Sequence, residues 1–208
     1  MLAVHWTPVN NTKKIIRGGI KKSKKGLYCF PLTGHKSIDR WWLYFFNQCK
    51  VRQRKKYNGV IFKIIEEDLP AYFGHWSGAT NKDKFLKDFK TVKELSTEFR
   101  NILLWRMGEI LAAEKGLKNQ LYSYEKGSEL YLELAEKEIE KSDKAFSDKL
   151  NDLDFMTYAL EDYQIVLNNS IPAKRILKII PQYDKSGRQI RQKKKKDNKI
   201  FRDQIQEL

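Results

Sequence analysis

The feature that most constrains this chain is its opening, Met1 to Phe30. A short apolar run, Leu2-Ala3-Val4-His5, leads through Pro8 to Asn10 and Asn11. A segment carrying Ile15 and Ile16 follows, then Gly18-Gly19, a basic run from Lys21 to Lys25, and a second apolar run, Gly26-Leu27-Tyr28-Cys29-Phe30. The two apolar runs are short and bounded by turn residues, which predicts strands. Asn10 and Asn11 can both cap a helix over Thr12 to Arg17, and Gly18-Gly19 can end it as a left-handed C-cap. Lys21 to Lys25 reads as an exposed loop, and Pro31 closes the second strand. This strand–helix–strand unit sets a polar skeleton at fixed intervals: His5, Thr7, Asn11, Gly19 and Tyr28.

Beyond it, Lys36 to Lys50 predicts a helix, because Ile38, Trp41, Trp42, Phe45 and Phe46 recur at spacings of three and four. Asn58-Gly59 reads as a turn before a strand from Val60 to Ile65, and Ala71 to Thr80 as an ordered, aromatic-rich loop. From about Asn81 to Leu160 the pattern is helical. One apolar face runs from Phe85 and Phe89 through Leu95, Phe99 and Leu103 to Ile110, and a second helix extends from Ser128 to Leu150. Strands return at Tyr163 to Leu167 and Arg175 to Ile180. The polar stretch beyond Pro181 carries Lys193 to Lys196 and reads as a mobile basic tail. Strands at both ends with helices between them predict an α+β domain over 1–183, with a helical insertion over about 81–160 and a tail over 184–208.

Charge narrows the partners. Lys and Arg number 41 against 26 Asp and Glu, a net charge of +15 on 208 residues. Such an excess points to a polyanion, with nucleic acid first and an acidic protein or membrane surface next; the plain alternative is a solvated surface. Cys29 and Cys49 are too few for a disulfide framework and have no metal-ligand spacing, as expected of reduced thiols in a cytoplasmic protein. His35 and His75 also lack partners at ligand spacing, so no metal site is expected. No apolar run is long enough to span a membrane, and Met1 is not followed by a secretory apolar segment.

The skeleton His5-x-Thr7, Asn11, Ile15-Ile16, Gly19-Ile20 and Gly26-x-Tyr28 resembles the opening of the ADP-ribosyltransferase fold. The likeness is to the DarT-like toxins that modify nucleic acid. The resemblance implies a split β-sandwich with NAD as co-substrate and no metal. In that family the strand-end His holds a ribose hydroxyl of NAD and the neighbouring Thr assists, which assigns His5 and Thr7. Asn11 and Gly19 fall at the family's expected offsets. Tyr28 takes the place of the aromatic ring that stacks on the nicotinamide, and Trp41, Trp42 or Tyr44 completes that clamp.

The resemblance also calls for a glutamate at the start of a late strand, whose carboxylate binds the nicotinamide ribose and stabilises the cationic species as nicotinamide leaves. Gln164-Ile165-Val166-Leu167, followed by Ile171-Pro172, matches this pattern except that Gln164 stands where the Glu is expected. Glutamine keeps the size and hydrogen bonding of glutamate but carries no charge. It fits an engineered inactive form, a natural non-catalytic member, or an enzyme that uses a different acid. Asp162, two residues earlier and on the same strand face, matches the position that contacts the acceptor. Arg17, Arg40, Arg52 and Arg54 are candidate phosphate contacts, though each taken singly reads first as a surface charge.

By this resemblance the chain transfers ADP-ribose from NAD to single-stranded RNA or DNA, with an antitoxin protein as a further partner. Two other readings stand beside it: a nucleic-acid-binding module without catalysis, favoured by Gln164, and a transferase that acts on protein.

Overall fold

The computed structural model describes residues 1–32, 39, 56–74, 86–117, 124–141 and 164–181. Seven strands form one sheet in the order β5-β4-β6-β2-β1-β3-β7, and every neighbouring pair is antiparallel. The strands are β1 (Leu2–Pro8), β2 (Leu27–Pro31), β3 (Tyr57–Lys63), β4 (Ala71–Gly74), β5 (Leu86–Phe89), β6 (Gln164–Leu167) and β7 (Ile176–Pro181). The helices are α1 (Thr12–Gly18), α2 (Val92–Glu114) and α3 (Tyr124–Glu140). The protein is therefore mixed α+β. The sheet mixes sequence-distant strands, so chain order and spatial order differ: β6, near the end, lies between β2 and β4.

Alternation along the strands divides the core in two. One face carries Ala3, Cys29, Phe62, Phe73, Ile165 and Leu167, and α2 packs on it through Leu95, Phe99 and Leu103. Phe62, Phe73 and Phe99 are fully enclosed, each contributing about 1.5–3 kcal/mol by burial. The Phe73 and Phe99 rings meet edge to face at 6.3 Å. The other face carries Leu2, Val4, Trp6, Phe30, Tyr57 and Ile61. On the far side of α2, Leu104, Met107 and Leu111 pack against Ala135 of α3.

Helix α2 starts where Thr91 and Glu94 form a reciprocal cap. The Thr91 hydroxyl accepts from the Glu94 amide at 3.1 Å, and the Glu94 carboxylate accepts from the Thr91 amide at 3.1 Å. Among the described residues no helix is long and apolar enough to cross a membrane.

Four expectations from the sequence need correction. Asn58-Gly59 is no turn but lies inside β3, opposite Thr7 and Trp6. Glycine is required there by close approach: a Cβ on Gly59 would lie 2.6 Å from the Trp6 ring. Ala71–Gly74 is a strand rather than a loop, because β5 and β6 flank it on both edges. Leu86–Phe89 is also a strand, so the helical stretch begins at Val92 and not near 81. Finally, Asn11 precedes α1 without a side-chain capping bond, since the 3-10 turn Val9–Asn11 feeds straight into the helix. The predicted helix over 36–50, the end of the second helix beyond 141, and the tail from 184 lie outside the described residues.

Candidate active site at a seam in the sheet

β1 treats its two neighbours differently. Against β3 it is paired along its whole length, from Leu2↔Lys63 to Pro8↔Tyr57. Against β2 the register holds only at Ala3↔Pro31 and Val4↔Phe30. From His5 onward the two central strands are no longer paired, and the sheet has a seam between the β1-β3-β7 side and the β2-β6-β4-β5 side.

His5 bridges this seam. Its Nδ1 lies 2.7 Å from the Tyr28 carbonyl oxygen. A carbonyl only accepts, so Nδ1 carries the proton, and in the neutral ring Nε2 is left as an acceptor. Burial pushes the His5 pKa below its ordinary value, more strongly than the bond to Tyr28 raises it. The ring is therefore neutral at pH 7. Thr7, next on the same strand face, is buried.

Across the seam, β2 pairs with β6 through Leu27↔Leu167, Tyr28↔Val166 and Cys29↔Ile165. Continuing this register sets Gln164 beside Phe30, and Gly74 flanks it on β4. Tyr28 and Gln164 share a face and stand diagonally on adjacent strands, within roughly 7–8 Å of each other. Gln164 is 5% exposed, and its Nε2 has no hydrogen-bond partner among the described residues. Tyr28 is partly exposed, and burial raises its hydroxyl pKa.

Trp6, between His5 and Thr7 in sequence, was not singled out there. Alternation turns it to the face that carries Gln164. Its Nε1 is likewise buried without a hydrogen-bond partner among the described residues. Two unpaired donors on one sheet face are a departure from the usual satisfaction of buried polar groups, each costing about 1–3 kcal/mol. A ligand bearing acceptors would satisfy them.

The remaining predicted residues do not all gather here. Gly19, with φ 78° and ψ −179°, adopts a conformation essentially restricted to glycine rather than the left-handed cap expected. It serves packing: a Cβ there would fall 2.1 Å from the Ile171 carbonyl, where Ile20 and Ile171 exchange backbone hydrogen bonds of 2.8 and 2.9 Å. Asn11 is exposed at the entry to α1, and Arg17 is exposed on its last turn. Arg40, Trp41, Trp42, Tyr44, Arg52, Arg54 and Asp162 lie outside the described residues.

A second polar cluster lies where the β3–β4 and β6–β7 connections meet, and sequence reasoning missed it. Asp68 is 2% exposed and takes both arms of the Arg175 guanidinium, Nη1 at 2.8 Å to Oδ1 and Nη2 to Oδ2. Asp68 also accepts from the Ile65 amide at 3.0 Å. The Asp68 carboxylate pairing raises the Arg175 pKa. Asn169 reaches the Glu67 carbonyl at 2.8 Å and ties the same two connections together. Cys29 lies fully buried, and burial together with the Asp68 charge pushes its thiol well above its ordinary pKa. Among the described residues no three His, Cys, Asp or Glu side chains gather as a metal site would need.

No family model matches the sequence, and neither the curated proteins nor the solved structures contain a match to it.

Proposed function

We propose that this protein is an NAD-dependent ADP-ribosyltransferase of split-sheet architecture that modifies single-stranded nucleic acid, in a form held inactive or nearly so by Gln164. The observation that carries the reading is the seam: folding brings Gln164 onto the strand beside Tyr28, with a neutral His5 bridging the opening. These residues were picked out by their likeness to one family's motifs, and they are far apart in sequence. Chance placement does not require them to share the centre of one sheet.

The groups present fit NAD. The Nε2 of His5 is an acceptor for a ribose hydroxyl, and the Tyr28 ring offers a flat face to a cationic planar ring. The amide nitrogen of Gln164 has no partner among the described residues, which leaves this position open to a ligand group. A carboxylate in that place would receive hydroxyl donors and set a negative charge beside the developing positive charge of the sugar. NAD itself supplies the ADP-ribosyl group and a leaving group. In this reading Tyr28 holds the ring beside the enclosed residue 164, while His5 and Thr7, whose side chains turn to the opposite sheet face, hold the sugar across the opening where β1 and β2 part.

The test compares this protein with its Gln164→Glu form, each given labelled NAD and, in turn, single-stranded RNA, single-stranded DNA and a protein extract. Label carried only by the Glu form, on one pool, is the expected result and names the acceptor. If neither form transfers label nor binds NAD, the reading fails. The second reading, a binding module without catalysis, is favoured by Gln164 itself and predicts nucleic-acid binding with no NAD turnover in either form.

A further inference from the structure

The connection that joins the two seam strands is uniformly basic. Residues 1–38 contain no Asp or Glu. Lys13, Lys14 and Arg17 are exposed on α1, and Lys21, Lys22, Lys24 and Lys25 are exposed on the loop from α1 into β2. This loop is not loose. The Ser23 and Gly26 backbones exchange hydrogen bonds of 3.0 and 3.1 Å, and the Lys22 amide donates to the Ser170 hydroxyl at 3.0 Å. Ile20 and Ile171 bind it to the β6–β7 connection, whose 3-10 turn Ala173–Arg175 adds the exposed Lys174.

Among the described residues none of these eight cations forms an ion pair. The nearby carboxylates are engaged elsewhere: Asp68 holds Arg175, and Glu66 accepts from the Val92 amide at the start of α2. Glu67, which acts on Arg175, marks the border. Like charges held together on an ordered surface, with no counter-charge among the described residues, repel one another, and a polyanion relieves this.

We infer that α1, the Lys21–Lys25 loop and Lys174 form the track on which a nucleic-acid strand docks, leading its bases to the mouth of the seam. The placement argues for a strand rather than a membrane. The cations follow the chain from the end of β1 to the start of β2, so a bound backbone runs past His5 and Tyr28 instead of lying on a flat, remote face. Large exposed apolar side chains here are Val9 and Ile16, with Leu177 just beyond Lys174, too few to anchor in lipid. The inference rests on the transferase reading for what the docked strand is for, and not for whether it docks.

The test measures the affinity of the full chain for a labelled mixed-sequence single-stranded oligonucleotide, without NAD, across a salt series. Two variants are compared with the parent: Lys21→Ser/Lys22→Ser/Lys24→Ser/Lys25→Ser, and Lys13→Gln/Lys14→Gln/Arg17→Gln. These side chains are exposed and form no ion pair among the described residues, so both variants keep the parent's thermal midpoint. Each neutralised phosphate contributes about 0.7 to the slope of log affinity against log salt on single strands, so the loop variant lowers the slope by about 2–3. The helix variant lowers it by about 2 on the same count. Unchanged slopes in both variants overturn the proposal. It is also overturned if the variants lose binding only to phosphatidylserine vesicles and keep the oligonucleotide slope. Slopes that fall while the Gln164→Glu form consumes no NAD uphold the track and sink the transferase reading; NAD consumption with unchanged slopes does the reverse.

Discussion

Two polar regions of this sheet are built on opposite terms. At the junction of the β3–β4 and β6–β7 connections, the buried charge of Asp68 is met on both oxygens by Arg175 and on one by the Ile65 amide. At the seam between β1 and β2, the buried amide of Gln164 and indole of Trp6 have donors with no partner among the described residues, and His5 presents an unprotonated Nε2. The first region satisfies its polar groups internally and so holds the fold together. The second does not do so among the described residues, and the proposed function rests on that difference.

That contrast can be broken from either side. The largest effect is expected from Asp68→Ala, which leaves Arg175 without its carboxylate and the Ile65 amide without an acceptor. About 3 kcal/mol of stability is lost, read as a lower urea midpoint. A loss under 1 kcal/mol would mean that the cluster is not what fixes the two connections.

Next comes Gly59→Ala, which drives a methyl into Trp6 and into Val4 on the seam face. It costs about 2 kcal/mol by overpacking and weakens NAD binding in the Gln164→Glu background, since Trp6 must move. Titration of NAD by calorimetry checks the second half; unchanged affinity would separate Trp6 from the site.

At Gln164 the sign reverses. Gln164→Leu removes the unpaired amide and stabilises by about 1 kcal/mol. Gln164→Glu instead buries an unpaired carboxylate, lowering the melting temperature until NAD restores it. If Leu destabilises as much as an ordinary core change does, residue 164 is a packing residue.

The smallest effect is at His5. Its folded pKa is lowered, so the unfolded chain binds more protons as pH falls through the ordinary value of 6.5. Stability is therefore complete above that value and declines as pH drops below it towards the folded pKa. His5→Gln flattens this part of the profile by less than about 1 kcal/mol, seen in urea midpoints between about pH 5 and pH 8. An equal slope in parent and variant would place the titration elsewhere.

What could be read in advance follows the range of the forces involved. β1, α1, β2 and the late strands β6 and β7 were legible because their apolar residues recur at short spacing between turn residues. Leu86–Phe89 was misread as helix because Phe85 and Phe89, four apart, continue the apolar face of α2. The Thr91–Glu94 cap marks the true start and was the signal available. Gly59 was misread as a turn because glycine serves both turns and close contacts, and only the Trp6 ring distinguishes them. Asp68 and Arg175 had no local signal at all, being 107 residues apart.

By itself, the sequence determined the strand–helix–strand opening, the excess of positive charge and the amphipathic course of α2, each a matter of neighbouring residues. It also marked His5, Tyr28 and Gln164, through likeness to a known motif. Only the tertiary structure decided that β6 inserts beside β2, that β1 parts from β2 after Val4, and that Asp68 closes on Arg175. Strand pairing and buried charge depend on which distant segments exclude water together, and no short-range pattern records that choice.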